Sequence, residues 1–173
     1  SFTFAERRRL LVGLFDAWPE TTRPLIQLVD SFTDADDKTA LWDRVLASGA
    51  EGVVVKRLSA RYSTKSRSRD VLKIKVTKTI DVVVMGYGSG TESAVLGLVD
   101  DGSVVEVGKC SLIGKPTVNV GDVVEVEYLY VVDPSSPRLY QGRMLRLRPD
   151  KTPVECGFDQ LTGAFASKEV IAA

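Results

Sequence analysis

Apolar positions change their spacing partway along the chain. Over the first 50 residues they recur at helical intervals. Leu10, Leu11, Leu14 and Phe15 form one stripe, and Leu41, Trp42, Val45 and Leu46 form another. Thr3 followed by Glu6 reads as a capping box that opens the first helix, and Pro19 closes it. Asp34 or Asp36 opens the second helix, with Gly49 in its C-terminal turn. Apolar runs at residues 25–30 and 52–57 flank that helix and predict strands, the valines at 53–55 being expected buried in the sheet. Strand, helix and strand in this order predict an α/β unit covering one side of a sheet. Residues 71–76 alternate, with Leu72, Ile74 and Val76 facing one way and Lys73 and Lys75 the other.

After Lys78 the helical period disappears. Residues 80–87, 94–99, 104–107, 123–132 and 139–147 read as short strands separated by turns. Asp101-Gly102 is the strongest hairpin signal among them. Five short strands with a basic last one predict a small barrel of the OB type, whose open face commonly binds nucleic acid. The chain therefore reads as α+β: an α/β subdomain over residues 1–77, an OB barrel over 78–165 and a tail over 166–173.

Composition narrows the chemistry. With 44% hydrophobic and 27% charged residues in 173, the chain fits an ordinary globular class. No apolar run approaches the roughly 20 residues of a membrane span, and no secretion signal opens the chain. An intracellular setting, cytoplasmic or nuclear, is expected. Cys110 and Cys156 have no metal-ligand spacing and make no disulfide framework. Histidine is absent, which removes the commonest general base and metal ligand. Catalysis here must use carboxylates, lysines, arginines or a metal held by oxygen.

Net charge is zero but unevenly spread. Residues 56–78 hold nine cations against Asp70 alone, whereas residues 100–133 are mostly acidic. The basic stretch suits a polyanion such as nucleic acid or nucleotide phosphate, or else a solvated surface loop. Lys73 and Lys75 on one strand face repel each other unless an anion lies between them, or else they guard an edge strand.

Three stretches carry a family resemblance. Glu51-Gly52-Val53-Val54-Val55-Lys56 resembles motif IV of ATP-dependent DNA ligases, Leu72-Lys73-Ile74-Lys75 resembles motif V, and Arg148-Pro149-Asp150-Lys151 resembles motif VI. Ala5–Leu11 is similar to the arginine-rich helix found in many of these enzymes, and Glu155–Leu161 to a tail found in some. Val71 stands where tryptophan is usual, and Lys65 where glycine is usual. Each motif alone also fits a plain surface strand or turn; their joint order carries the resemblance.

The resemblance implies a partial nucleotidyltransferase subdomain, ATP-grasp-like, followed by the OB barrel. It implies ATP as AMP donor, Mg²⁺ as cofactor and nicked double-stranded DNA as substrate. Glu51 would position the metal, Gly52 would leave room for a sugar or base, and Lys56 would line the nucleotide site. Lys73 and Lys75 would neutralise the α-phosphate. Arg148 and Lys151 would hold the β and γ phosphates, with Asp150 orienting them or meeting the metal. Arg57, Arg61, Lys65, Arg67, Arg69 and Lys78 would contact nucleic acid, and residues 75–79 would form a hinge. An RNA ligase, a capping-type nucleotidyltransferase or a non-catalytic OB module would share many of these features.

The family's nucleophile is a lysine in Lys-x-Asp-Gly, and no such sequence occurs in the 173 residues. The motif III carboxylate is also absent. The chain is therefore expected to be the C-terminal portion of a longer enzyme, partnered by the rest of its adenylation domain. Incubated alone with radiolabelled ATP and Mg²⁺, it should stay unlabelled; label on any lysine would contradict this reading.

Overall fold

The computed structural model describes residues 1–21, 25–64, 68–88, 92–133 and 135–161. They fall into two units. One comprises Ser1–Ser48 with Gly52–Lys75; the other comprises Gly49–Glu51 with the residues from Val76 on.

In the first unit, α1 (Phe4–Asp16) starts from the expected capping box. Thr3 Oγ1 accepts from the Glu6 N–H at 3.3 Å, and the Glu6 carboxylate accepts from the Thr3 N–H at 2.7 Å. Helix α2 (Ala35–Ser48) starts beside Asp34, whose carboxylate accepts from the Asp36 N–H at 2.8 Å. It ends at Gly49, whose φ of 66° is the left-handed turn a glycine makes without strain. Strands β1 (Gly52–Lys56) and β2 (Val71–Lys75) form a two-stranded antiparallel ribbon.

Two expectations, the strand at 25–30 and the burial of the β1 valines, fail here. Residues 25–30 form no strand, because none of the described strands pairs with them. The apolar stripe of α1 is not buried: Leu10, Leu11 and Leu14 are exposed. The valines of β1 were expected inside a sheet, yet Val54 and Val55 are about half exposed, at 52% and 47%. A two-stranded ribbon has too little material to cover both its faces. Val45 of α2 is the one buried hydrophobic residue among the described residues of this unit.

The second unit holds the core. Its strands are β3 (Lys78–Tyr87), β4 (Ser93–Asp100), β5 (Ser103–Ser111), β6 (Val123–Tyr128), β7 (Val131–Val132), β8 (Arg138–Leu139) and β9 (Arg143–Leu147). Five of them form one antiparallel sheet in the order β5-β4-β3-β6-β9, the OB-type sheet expected from the turn spacing. The turn between β4 and β5 has φ of 47° at Asp101 and 79° at Gly102, the two positive values of a tight hairpin turn. Residues 123–132 and 139–147 were each expected to be one strand. Both are interrupted, and β7 pairs with β8 in a separate small ribbon. Tyr130 and Tyr140 stack beside it with ring centroids 4.6 Å apart.

Val82, Val84, Leu96, Leu98, Val107, Val126 and Met144 are fully buried on the inner face of the sheet. Each such side chain contributes roughly 1.5–3 kcal/mol through loss of contact with water. Bulges at Val84/Gly86, Leu96/Gly97 and Glu125/Val126 curve the sheet around them. Two short 3₁₀ turns, Pro153–Glu155 and Phe158–Leu161, follow β9, and Cys156 and Leu161 join the same core. No helix among the described residues is long and apolar enough to cross a membrane.

The two units differ in what a leucine is worth. Leu96→Ala should lower the unfolding free energy measured in urea by about 2–5 kcal/mol. Leu72→Ala, at a position 58% exposed, should change it by less than about 1 kcal/mol. Equal losses would contradict this placement of the core.

Candidate functional site

The register of β1 and β2 decides which residues share a face. Gly52 lies opposite Lys75, Val54 opposite Lys73 and Lys56 opposite Val71. Directly opposed residues project on one side of an antiparallel pair, so Lys73, Lys75, Val54 and Lys56 line one face. Val53, Val55, Leu72 and Ile74 line the other. Gly52 has a φ of 144°, and a Cβ built there would lie 2.0 Å from the Ile74 carbonyl oxygen and 2.8 Å from the Lys75 Cα. Only glycine fits. The reason is β2's own backbone, a constraint that the expectation of room for a sugar or base did not contain.

Glu51 leads directly into this ribbon. Its carbonyl accepts from the Val76 N–H at 2.9 Å, so hydrogen bonding continues past the end of β1. Its side chain is exposed. Lys73 is exposed and Lys75 half-buried, two positions apart and therefore separated by about 7 Å along the strand.

The other expected cations are not gathered at this end. Lys56 lies at the far end of the ribbon, about 13 Å along β1 from Gly52. Its Nζ sits 4.8 Å from the centroid of the Phe4 ring in a cation–π contact. Arg57 pairs with Asp70 at 2.9 Å, and Arg61 donates to the Ser1 carbonyl at 2.7 Å. Arg69 is exposed, and Lys78 begins β3 opposite Tyr128. Lys65 and Arg67 lie outside the described residues. The basic character expected of the last strand is also offset: Arg143 pairs with Glu127 at 2.7 Å, and Arg146 with Glu125.

In the second unit, Arg148, Asp150 and Lys151 lie in a turn just after β9, and Arg148 and Lys151 converge on a residue that the sequence reading did not single out. Asp81 on β3 is 7% exposed. Arg148 Nη1 donates to its two oxygens at 2.9 and 3.1 Å, and Lys151 Nζ donates to Oδ2 at 2.5 Å. The Nε and Nη2 edge of Arg148 grips Asp150 at 2.9 and 2.8 Å. Two cations thus meet two carboxylates, and their formal charges cancel. Arg148 holds the Asp150 carboxyl down to about 2, and Asp150 raises the Arg148 guanidinium in turn. The hydrogen bond to Asp81 raises Lys151. The Arg148 side chain is 14% exposed and that of Lys151 29%, so Lys151 is the more reachable.

These contacts bear on metal binding. Asp150, expected to orient the cations or to meet the metal, is engaged by Arg148. Among the described residues no group of three or more His, Cys, Asp or Glu is arranged to hold a metal ion. The available signal for Asp81 was a lone carboxylate inside the apolar run Ile80-Asp81-Val82-Val83-Val84. Cys156 lies beneath this cluster, where burial pushes its thiol up to about 11.

Comparison with known proteins adds an independent observation. Residues 1–75 match the family model described as ATP dependent DNA ligase domain. A probable DNA ligase of Streptomyces avermitilis is 30% identical over 186 residues, an alignment covering 88% of this chain and 36% of that protein. One from Streptomyces griseus is 31% identical over 91% of this chain and 31% of the relative. The chain thus spans about a third of the length of these curated relatives. A solved structure from a structure-function analysis of Lig E DNA ligases has a similar fold, with a TM-score of 0.62 at 22% identity. That likeness covers 86% of this chain and 59% of the other.

The close approach at Gly52 is directly testable. Gly52→Ala should part β1 from β2, seen as faster amide hydrogen exchange across 53–56 and 71–75 with the β3–β6 amides unchanged. Unaltered protection in the ribbon would refute the constraint.

Proposed function

We propose that this chain belongs to the ATP-dependent DNA ligase family and supplies the phosphate-handling end of a nucleotidyltransferase domain together with an OB domain. The complete enzyme would use ATP and nicked duplex DNA. A lysine would attack the α-phosphate of ATP, AMP would pass to the 5′-phosphate at the nick, and the 3′-hydroxyl would displace it.

The observation that carries this reading is the register of the ribbon. It sets Lys73 and Lys75 side by side on one face, at the end where Glu51 enters. Two fixed cations facing one way suit the charge that develops on a phosphoryl group during transfer. The exposed carboxylate of Glu51 fits Mg²⁺, which commonly takes one or two carboxylates and completes its shell with substrate oxygens and water. Bound there, Mg²⁺ would offset charge on the polyphosphate. Arg148 and Lys151 would grip the β and γ phosphates, whose oxygens accept charge-assisted hydrogen bonds of the kind these side chains already make. Lys56, held over Phe4, would act at the rim of the nucleotide site. Arg57, Arg61, Arg69 and Lys78, with Lys65 and Arg67, would meet the DNA backbone.

The nucleophilic lysine would come from a segment outside these 173 residues, since no Lys-x-Asp-Gly lies within them. The same segment would cover the apolar surface of the first unit. Leu10 and Leu14 on α1 and Val55 and Leu72 on the ribbon are exposed, and exposed apolar surface of this kind suits packing against further protein.

Joined to a segment bearing Lys-x-Asp-Gly, the chain should seal nicked duplex DNA. Lys73→Ala or Lys75→Ala should lower sealing by about 100-fold or more, as removal of one preorganised donor does elsewhere. Undiminished sealing in both variants would contradict the assignment, and sealing confined to RNA strands would favour an RNA ligase.

A further inference from the structure

Strands β3 and β4 stay paired from Tyr87 and Ala94 to Val83 and Gly97, and no pair of theirs is formed beyond that point. The segment after β9 bonds to both strands there. Gly157 bridges to Val99 on β4, and the Val99 N–H donates to the Cys156 carbonyl at 2.7 Å. Towards β3, the side-chain amide of Gln160 acts as a strand would. Its Oε1 accepts from the Asp81 N–H at 3.1 Å, and its Nε2 donates to the Asp81 carbonyl at 3.1 Å. Both backbone groups of a buried residue are thereby satisfied by one side chain.

The carboxylate that Gln160 fixes in this way is the one that takes Arg148 and Lys151. Both cations donate to the same oxygen, Oδ2, so their nitrogens are held within one carboxylate's reach of each other. We infer that Asp81 is a positioning residue for the phosphate grip of Arg148 and Lys151, and that Gln160 holds Asp81 in place. The inference rests on the reading that these two cations grip phosphate.

Long cationic side chains lose much rotamer freedom on binding, and a fixed internal acceptor removes part of that cost beforehand. Asp81 would not touch the phosphate, which it repels. The segment Glu155–Leu161 would be a working part of the grip rather than a trailing end.

Charge and positioning predict opposite signs. Asp81→Asn removes a negative charge, so electrostatics alone would tighten binding of a polyanion. Positioning predicts weaker binding. The test is calorimetric titration of inorganic tripolyphosphate into the 173-residue chain, at a temperature where circular dichroism shows each variant folded. Lys151→Ala should abolish binding. If the unaltered chain binds no tripolyphosphate, or Lys151→Ala changes nothing, the phosphate reading fails and takes the inference with it.

With that control met, Asp81→Asn and the charge-neutral Gln160→Ala should each weaken binding by about tenfold, as the loss of one charge-assisted hydrogen bond does. Binding that is unchanged or tighter in both folded variants overturns the inference and leaves the phosphate reading standing. Should Asp81→Asn not fold, Gln160→Ala, which alters no charge, decides the question alone.

Discussion

A carbonyl oxygen of Ile74 occupies the space where a side chain at position 52 would begin. That close approach pins the register of the ribbon, because sliding β1 by one residue would drive a valine into the backbone of β2. With the register fixed, the faces are fixed too. Lys73 and Lys75 share one face with Val54 and Lys56, and Val53, Val55, Leu72 and Ile74 take the other. The proposed chemistry of the first unit follows from this single contact between glycine and carbonyl.

The two units differ in self-sufficiency. The second surrounds Val82, Val84, Leu96, Leu98 and Met144 with a curved sheet and needs nothing more to keep water out. The first has one buried hydrophobic residue among those described, and its helix stripe and strand valines face solvent. On the proposed function, a cleft that accepts ATP and then DNA would be built by bringing further protein onto the exposed faces of the first unit, whereas the second unit would bring its turn of cations already arranged.

Much of this was legible in the residues. Thr3 with Glu6 announced the first helix, and Asp34 or Asp36 the start of the second, because capping is local chemistry between near neighbours. Asp101-Gly102 announced its hairpin because positive φ at both positions favours such residues. What failed depended on partners far away in sequence. Residues 25–30 carry apolar side chains suited to a strand, but a strand exists only beside another strand. The valines of β1 announced a β-strand correctly and burial incorrectly, since burial depends on what lies over them.

Asp81 and Gln160 illustrate the same limit at the site. Arg148, Asp150 and Lys151 stand within four residues and could be read as a group. Their anchor lies 67 residues earlier than Arg148 in an apolar strand, and the amide that holds the anchor lies 12 residues beyond it. Only the folded sheet brings those three segments together.

The central claim is that Lys73 and Lys75 face a nucleotide phosphate. It is tested most directly by carbon-13 reductive methylation of the lysines in the chain joined to its Lys-x-Asp-Gly segment, followed by NMR while AMP is added. The account predicts that the Lys73 and Lys75 signals move together and saturate, while that of Lys115 in the second unit stays put. Signals from both lysines that remain unmoved at saturating AMP would contradict it.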